Sequence, residues 1–239
     1  MKKSILSILT VFSLICSLFI LPPNTHASED KNVQNIKVDR EDTFFNPTIN
    51  KYMNAYKVVD GQLVPIGLEE YQQLTEYSEQ LVENDSDIQI EKFSQDLSAL
   101  YGSYYTFTPS STSTLNAPIE KASASINCTV KICTVSKIYN TTYSESFTAG
   151  LTADAKSTIK LNAGFTWVKS ATNGSSYSFT VDKGVSGYIG FNAYYRKTTG
   201  VLQEYIENLP AGRKVVEGRA PKTLSTGELD GIYSWVYTN

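Results

Sequence analysis

Glu228 and Asp230 flank Leu229 between two glycines, and paired carboxylates are the groups that glycoside hydrolysis needs. The same glycines mark a turn ahead of a final strand, the simpler reading of Gly227-Glu228-Leu229-Asp230-Gly231. Cys128 and Cys133 offer two other chemistries, a disulfide or two metal ligands. Two thiolates without histidine fall two ligands short of a closed zinc site, so neither metal nor cofactor is expected. In one continuous strand the two cysteines would sit roughly 16 Å apart on opposite faces, beyond the ~7 Å limit for a bridge. A disulfide therefore requires a bend within Thr129-Val130-Lys131-Ile132; the alternative is two separate thiols.

The compartment bears on that choice. Lys2 and Lys3 precede a mostly apolar run over residues 5–21, and Pro22-Pro23 ends it. Thr25-His26-Ala27 then supplies small residues at −3 and −1, the pattern of a signal peptide cleaved between Ala27 and Ser28. The expected product is secreted into an oxidising, extracellular environment, which favours the Cys128–Cys133 bridge. Cleavage also removes the chain's single histidine, His26, and two lysines. From 21 basic and 24 acidic residues the mature chain then keeps 19 and 24, a net charge of −5. Without histidine, Ser-His-Asp and Cys-His mechanisms and imidazole metal sites are excluded. An acidic chain with no Lys/Arg cluster is a poor match for nucleic acid. A non-enzymatic protein is expected, with a carboxylate-only hydrolase on Glu228 and Asp230 as a third reading.

Tyrosine is the abundant residue suited to recognition, because its ring is apolar and its rim polar. Tyr188, Tyr194, Tyr195, Tyr233, Trp235 and Tyr237 are the candidate binding aromatics, and Tyr104-Tyr105 is another aromatic site. The expected partner is a cell-surface glycan, a protein or a lipid. A second candidate is the Ser/Thr-rich stretch 143–167, with Tyr143, Phe147, Phe165 and Trp167 on alternating positions. Two nine-residue strands around Asp154 have the length of a membrane-spanning hairpin. Tyr143-Ser144-Glu145-Ser146-Phe147-Thr148-Ala149-Gly150 and Ala163-Gly164-Phe165-Thr166-Trp167 look like segments of uncharacterised secreted proteins of Gram-positive bacteria. So does the run from Tyr177 to Tyr188. These segments are also loosely similar to the Ser/Thr-rich strands of aerolysin-type β-pore-forming toxins. That resemblance implies, as the alternative function, a pore-forming or antimicrobial effector.

These residues need a scaffold, and the periodicities describe one. Residues 28–50 read as a flexible N-terminus. Residues 51–107 read as a small α+β region: Asp60-Gly61 turns a hairpin, Pro65 stops its second strand, and Leu68, Tyr71, Leu74, Leu81 and Val82 recur at helical spacing. A second helix is expected over 88–101. Residues 108–118 read as a Ser/Thr-rich linker. Residues 119–239 alternate apolar and polar positions and are expected to form an antiparallel β-sandwich, making the chain mainly β. Within it, Ile159, Leu161, Ala163, Phe165 and Trp167 predict a strand. A three-residue loop with Gly174 left-handed would pair Trp167 with Phe179. Residues 188–196 and 232–237 are strands, and Thr198-Thr199-Gly200 is read as a turn.

Overall fold

The computed structural model describes residues 34–75 and 102–238. The expected export signal, the helix expected over 88–101, and Leu81 and Val82 lie outside those residues. The described chain is mainly β. Strands β1 (Gln34–Lys37), β2 (Phe44–Asn46), β3 (Lys51–Val59) and β4 (Gln62–Ile66) lead into helix α1 (Leu68–Thr75). Then come β5 (Ser103–Asn116), β6 (Glu120–Lys121), β7 (Ile126–Asn127), β8 (Ile132–Ser136), β9 (Thr142–Ser144) and β10 (Ser146–Phe147). Helix α2 (Ala153–Leu161) precedes β11 (Ser170–Thr172), β12 (Tyr177–Asp182), the 21-residue β13 (Ser186–Ile206), β14 (Leu209–Pro221) and β15 (Gly231–Tyr237).

The larger sheet runs β10-β14-β13-β15-β3-β2, with β4 on β3 and with β5, β6 and β7 on β13; a smaller one runs β1-β12-β8. Pairing is antiparallel except between β1 and β12. The two sheets bury one aromatic core between them. Phe179 of β12 packs on Trp235 of β15 at 6.5 Å, and Tyr177 meets the Tyr233 ring at 4.8 Å. Such ring pairs each contribute about 0.5–1.5 kcal/mol beyond the area they bury. On the other face of β15, Ile232 and Val236 pack with Met53, Ile66 and Tyr71 of α1. Strand β15 is therefore buried on both sides, which is why its polar positions are few.

Strand β13 is the spine. Its first half pairs with β15, β6 and β7, and its second half lies between β14 and β5 as a three-stranded ribbon. Ala155 and Ile159, four apart on α2, cover one face of that ribbon with Phe107, Leu202 and Val216.

Several sequence expectations hold. Asp60 and Gly61 take φ angles of 51° and 78° between the paired Val59 and Gln62, as a type I′ turn requires. The strand expected over 188–196 forms as part of β13, with Ile189, Phe191 and Ala193 buried in the core. The chain bends at residues 130–131, bringing the Cys128 and Cys133 Cα atoms to 5.7 Å and closing their disulfide.

Others are corrected. Residues 103–116 are a strand of the ribbon, not a linker over 108–118; Pro109 is accommodated at a register shift opposite Gly200. Gly200 lies within β13 and turns nothing. A Cβ there would stand 2.6 Å from the Phe107 ring, so glycine lets that ring lie flat across the strand. The polar N-terminus over 28–50 contributes β1 and β2 from residue 34 onward. Strand β4 continues through Pro65 to Ile66, on the edge of its sheet, where proline removes no needed hydrogen bond. The strand expected over 159–167 is replaced by α2. Thr152 caps it, accepting the Ala155 N–H at 3.2 Å, and Asp154 and Lys160 sit at the ends that suit the helix dipole. Strand β12 pairs with β1 and β8, so Trp167 does not face Phe179, and Gly174 is not left-handed.

Candidate binding surface

Directly paired residues of neighbouring strands point to the same side of a sheet, so the register fixes what each ribbon face displays. Leu202, Phe107 and Glu204 point toward α2. The other side carries successive rows across β5, β13 and β14: Tyr104, Tyr205 and Pro210; then Thr106, Gln203 and Arg213. Thr108, Val201 and Val215 follow, then Ser111, Thr199 and Glu217, then Ser113, Lys197 and Arg219. Rows stand about 7 Å apart and strands about 4.8 Å apart, so the first four rows span about 20 Å by 10 Å. Tyr104, Thr106, Thr108, Ser111, Arg213 and Val215 are exposed there, and Tyr205, Gln203, Val201 and Thr199 are half-buried. The Tyr104 and Tyr205 rings lie 4.9 Å apart and within 7° of parallel, with Tyr104 45% exposed. The hairpin beyond them turns on Glu207 and Asn208, both at positive φ, and leaves Leu209 exposed. At the foot of the face Glu217 is gripped by Lys197 and by Arg219.

Most of the predicted aromatics lie elsewhere. Tyr194, Tyr233, Trp235 and Tyr237 are buried, with Trp235 at 0% exposure, and belong to the two cores. The expectation that they form a surface is corrected by burial on both faces of β15 and, for Tyr194 of β13, by packing against the Met53–Tyr71 cluster. Burial raises the Tyr233 hydroxyl far above its ordinary range, as the phenolate would lose its water. Tyr195 is half-buried against the Tyr143 ring. Tyr188 is half-buried with Lys121 Nζ 4.7 Å above its ring. Glu228 accepts a hydrogen bond from the Ser175 hydroxyl, and Asp230 is ion-paired to Lys222 at 2.7 Å, so both carboxylates have structural partners.

The four residues of the expected membrane hairpin split up. Tyr143 is buried, its hydroxyl donating to Glu120 at 2.8 Å. Phe147, Trp167 and Phe165 form a continuous half-buried stack, with centroids 5.2 and 5.6 Å apart. Lys160 and Arg196 cap its two ends at 5.5 and 5.7 Å. Both outer ring faces are thereby occupied, so the stack ties α2, β10 and β13 together. No hairpin spans 143–167.

Glu145 locks this stack, accepting from Trp167 Nε1 and from Lys160 Nζ, each at 2.6 Å. Burial alone would raise its carboxyl, but the hydrogen bonds from Lys160 and Trp167 outweigh it and hold the group below the usual carboxylate range. A carboxyl depressed in the folded state stabilises fully above its unfolded value of about 4.3 and loses that contribution as pH falls through the folded value. The unfolding midpoint is therefore expected to drop between pH 5 and pH 3, with a shallower drop in Glu145→Gln. Equal acid slopes in the two proteins would contradict the assignment.

Among the described residues no group of three or more His, Cys, Asp or Glu is placed to hold a metal, and no helix is long and apolar enough to cross a membrane. Sequence reasoning missed Tyr205, Gln203 and Arg213. The signal was there in the alternation of Tyr104, Thr106 and Thr108 with Tyr105 and Phe107. Comparison with known proteins gives one match, to the model of a family of unknown function (DUF6060), over residues 91–239. No curated protein and no solved structure matches the chain.

Proposed function

The chain belongs to the DUF6060 family, and for it we propose export followed by non-enzymatic binding of a cell-surface glycan on the open face of the β5–β13–β14 ribbon. The observation that carries this reading is the stacked Tyr104–Tyr205 pair, standing on a flat sheet face lined with hydroxyls. Sugars present apolar C–H faces and hydroxyl rims. An exposed tyrosine ring meets the first, and Thr106, Thr108, Ser111, Thr199 and Gln203 can hydrogen-bond the second. Tyrosines fixed on a sheet lose little rotamer freedom on binding, which keeps the cost of ordering low.

Export rests on the first 27 residues, and a closed disulfide fits an oxidising destination. Non-enzymatic action rests on the expected loss of His26 and on the structural engagement of Glu228 and Asp230. The pore-forming alternative would have to dismantle α2 and the Phe147–Trp167–Phe165 stack before residues 143–167 could pair as a hairpin.

The test uses secreted protein whose sequence begins at Ser28, incubated with purified, protease-treated cell-wall glycan. Wild type is expected to sediment with the glycan. Tyr104→Ala/Tyr205→Ala should lose about tenfold in affinity, roughly 1.4 kcal/mol, with its melting temperature unchanged within about 3 °C. Equal sedimentation of both proteins, or of neither, would refute the reading.

A further inference from the structure

The ribbon's charge runs against the chain's. The three strands and the Glu207–Asn208 turn hold five basic residues (Arg196, Lys197, Arg213, Lys214, Arg219) against three acidic ones (Glu204, Glu207, Glu217), in a protein whose formal net charge is −3. Arg196, Lys214 and Glu204 point to the α2 side and Glu207 lies in the turn, so the open face holds Lys197, Arg213 and Arg219 against Glu217, in two positive centres. At the foot, two cations share the single carboxylate of Glu217, leaving one net positive charge. Six positions along β14, about 20 Å away, Arg213 stands exposed one row behind the tyrosine pair, with no carboxylate in ion-pair distance among the described residues. Between the two centres lie hydroxyls, Val201 and Val215. Glu204 points to the opposite face and accepts from Tyr105 at 3.1 Å, so it does not offset them.

Resting on the glycan reading, we infer that the ligand is an anionic polysaccharide, lying along the ribbon with an acidic group at Arg213 and another toward the Lys197–Glu217–Arg219 cluster. A planar guanidinium engages a carboxylate or a phosphate ester through two parallel hydrogen bonds, and a chain bearing repeated acidic groups can meet both centres at once. An acidic protein approaching an acidic polymer is repelled everywhere except at such a face, so the same charges also orient the encounter. A neutral glycan would use the tyrosines and leave both centres idle.

The experiment compares three immobilised polymers: polygalacturonate, a poly(glycerol phosphate) chain and a neutral β-glucan. Wild type is expected to bind at least one acidic polymer ten times more tightly than the neutral one, and to lose that preference as salt rises from 50 to 500 mM. Which acidic polymer binds better tells whether the acid is a carboxylate or a phosphate. Arg213→Glu should abolish the preference. Lys183→Glu, the same charge change on an exposed residue outside the ribbon, should not. Equal binding of all three polymers, or an equal effect of the two charge reversals, overturns the inference and leaves the glycan reading standing. Binding of none overturns both. A wild-type dimer that Arg213→Glu dissolves would put a second copy on this face and overturn the inference too.

Discussion

Lys137→Met is expected to lower the stability of the fold by about 3–5 kcal/mol, the cost of leaving up to three buried acceptors without their donor. Lys137 is 9% exposed, at the end of β8, and its ammonium reaches inward rather than to water. It donates to the Asn173 side-chain oxygen at 2.8 Å, to the Ser175 carbonyl at 2.8 Å and to the Asn173 carbonyl. The Tyr233 hydroxyl donates to the same Asn173 side chain. The cation thus ties the 173–175 loop to the end of β8, and the Tyr233 hydroxyl ties the same loop to β15. Methionine fills the stem's volume but satisfies none of these oxygens, and each buried acceptor left alone costs about 1–3 kcal/mol. For a chain of this size the melting temperature should fall by roughly 6–20 °C in calorimetry. A variant melting within about 2 °C of wild type would show that water replaces the ammonium without loss.

Gly231→Ala is expected to be nearly as damaging, for a steric reason. Gly231 opens β15 opposite Ala193. A Cβ there would collide with the Asn192 carbonyl and stand 2.6 and 2.8 Å from two Phe191 ring carbons, all within the packed sandwich core. Backbone has little room to yield, so the cost should exceed the ~1–3 kcal/mol usual for overpacking. Gly227→Ala is the contrast. Its φ is +83° but nothing lies within 4 Å, so only the left-handed strain of about 1–2 kcal/mol applies. Urea midpoints should rank wild type, then Gly227→Ala, then Gly231→Ala. The reverse order of the two variants would mean that the core gives way more easily than the turn.

The sequence was most legible where local chemistry and tertiary demand agree. Asp60-Gly61 turns a hairpin because those residue types tolerate its φ angles at little cost, and Ile189, Phe191 and Ala193 alternate because one side of β13 faces the core. It was least legible where one residue type serves two purposes. Ile159 is apolar because it is the inner face of α2, whereas Leu161, which extended the apparent strand alternation, is 86% exposed. The helix signals, Thr152 as cap with Asp154 behind it, were present but weaker to the eye than the alternation. Hydroxyl-rich β5 resembles a linker because its outward positions need only be polar, and its partner β13 lies 78 or more positions away in the chain. The candidate surface suffered most from this. Tyr104 and Tyr205 become a pair only through a register between distant strands, while the more conspicuous run of aromatics in β15 packs the interior.

Amide hydrogen exchange of the secreted protein, alone and on purified cell-wall glycan, tests the central claim most directly. Slowed exchange on binding is expected over residues 103–111 and 199–215, with β2, β3 and the Phe147–Trp167 stack unchanged. Protection confined to residues 143–167, or to the exposed Phe45–Tyr52 pair on β2 and β3, would contradict it.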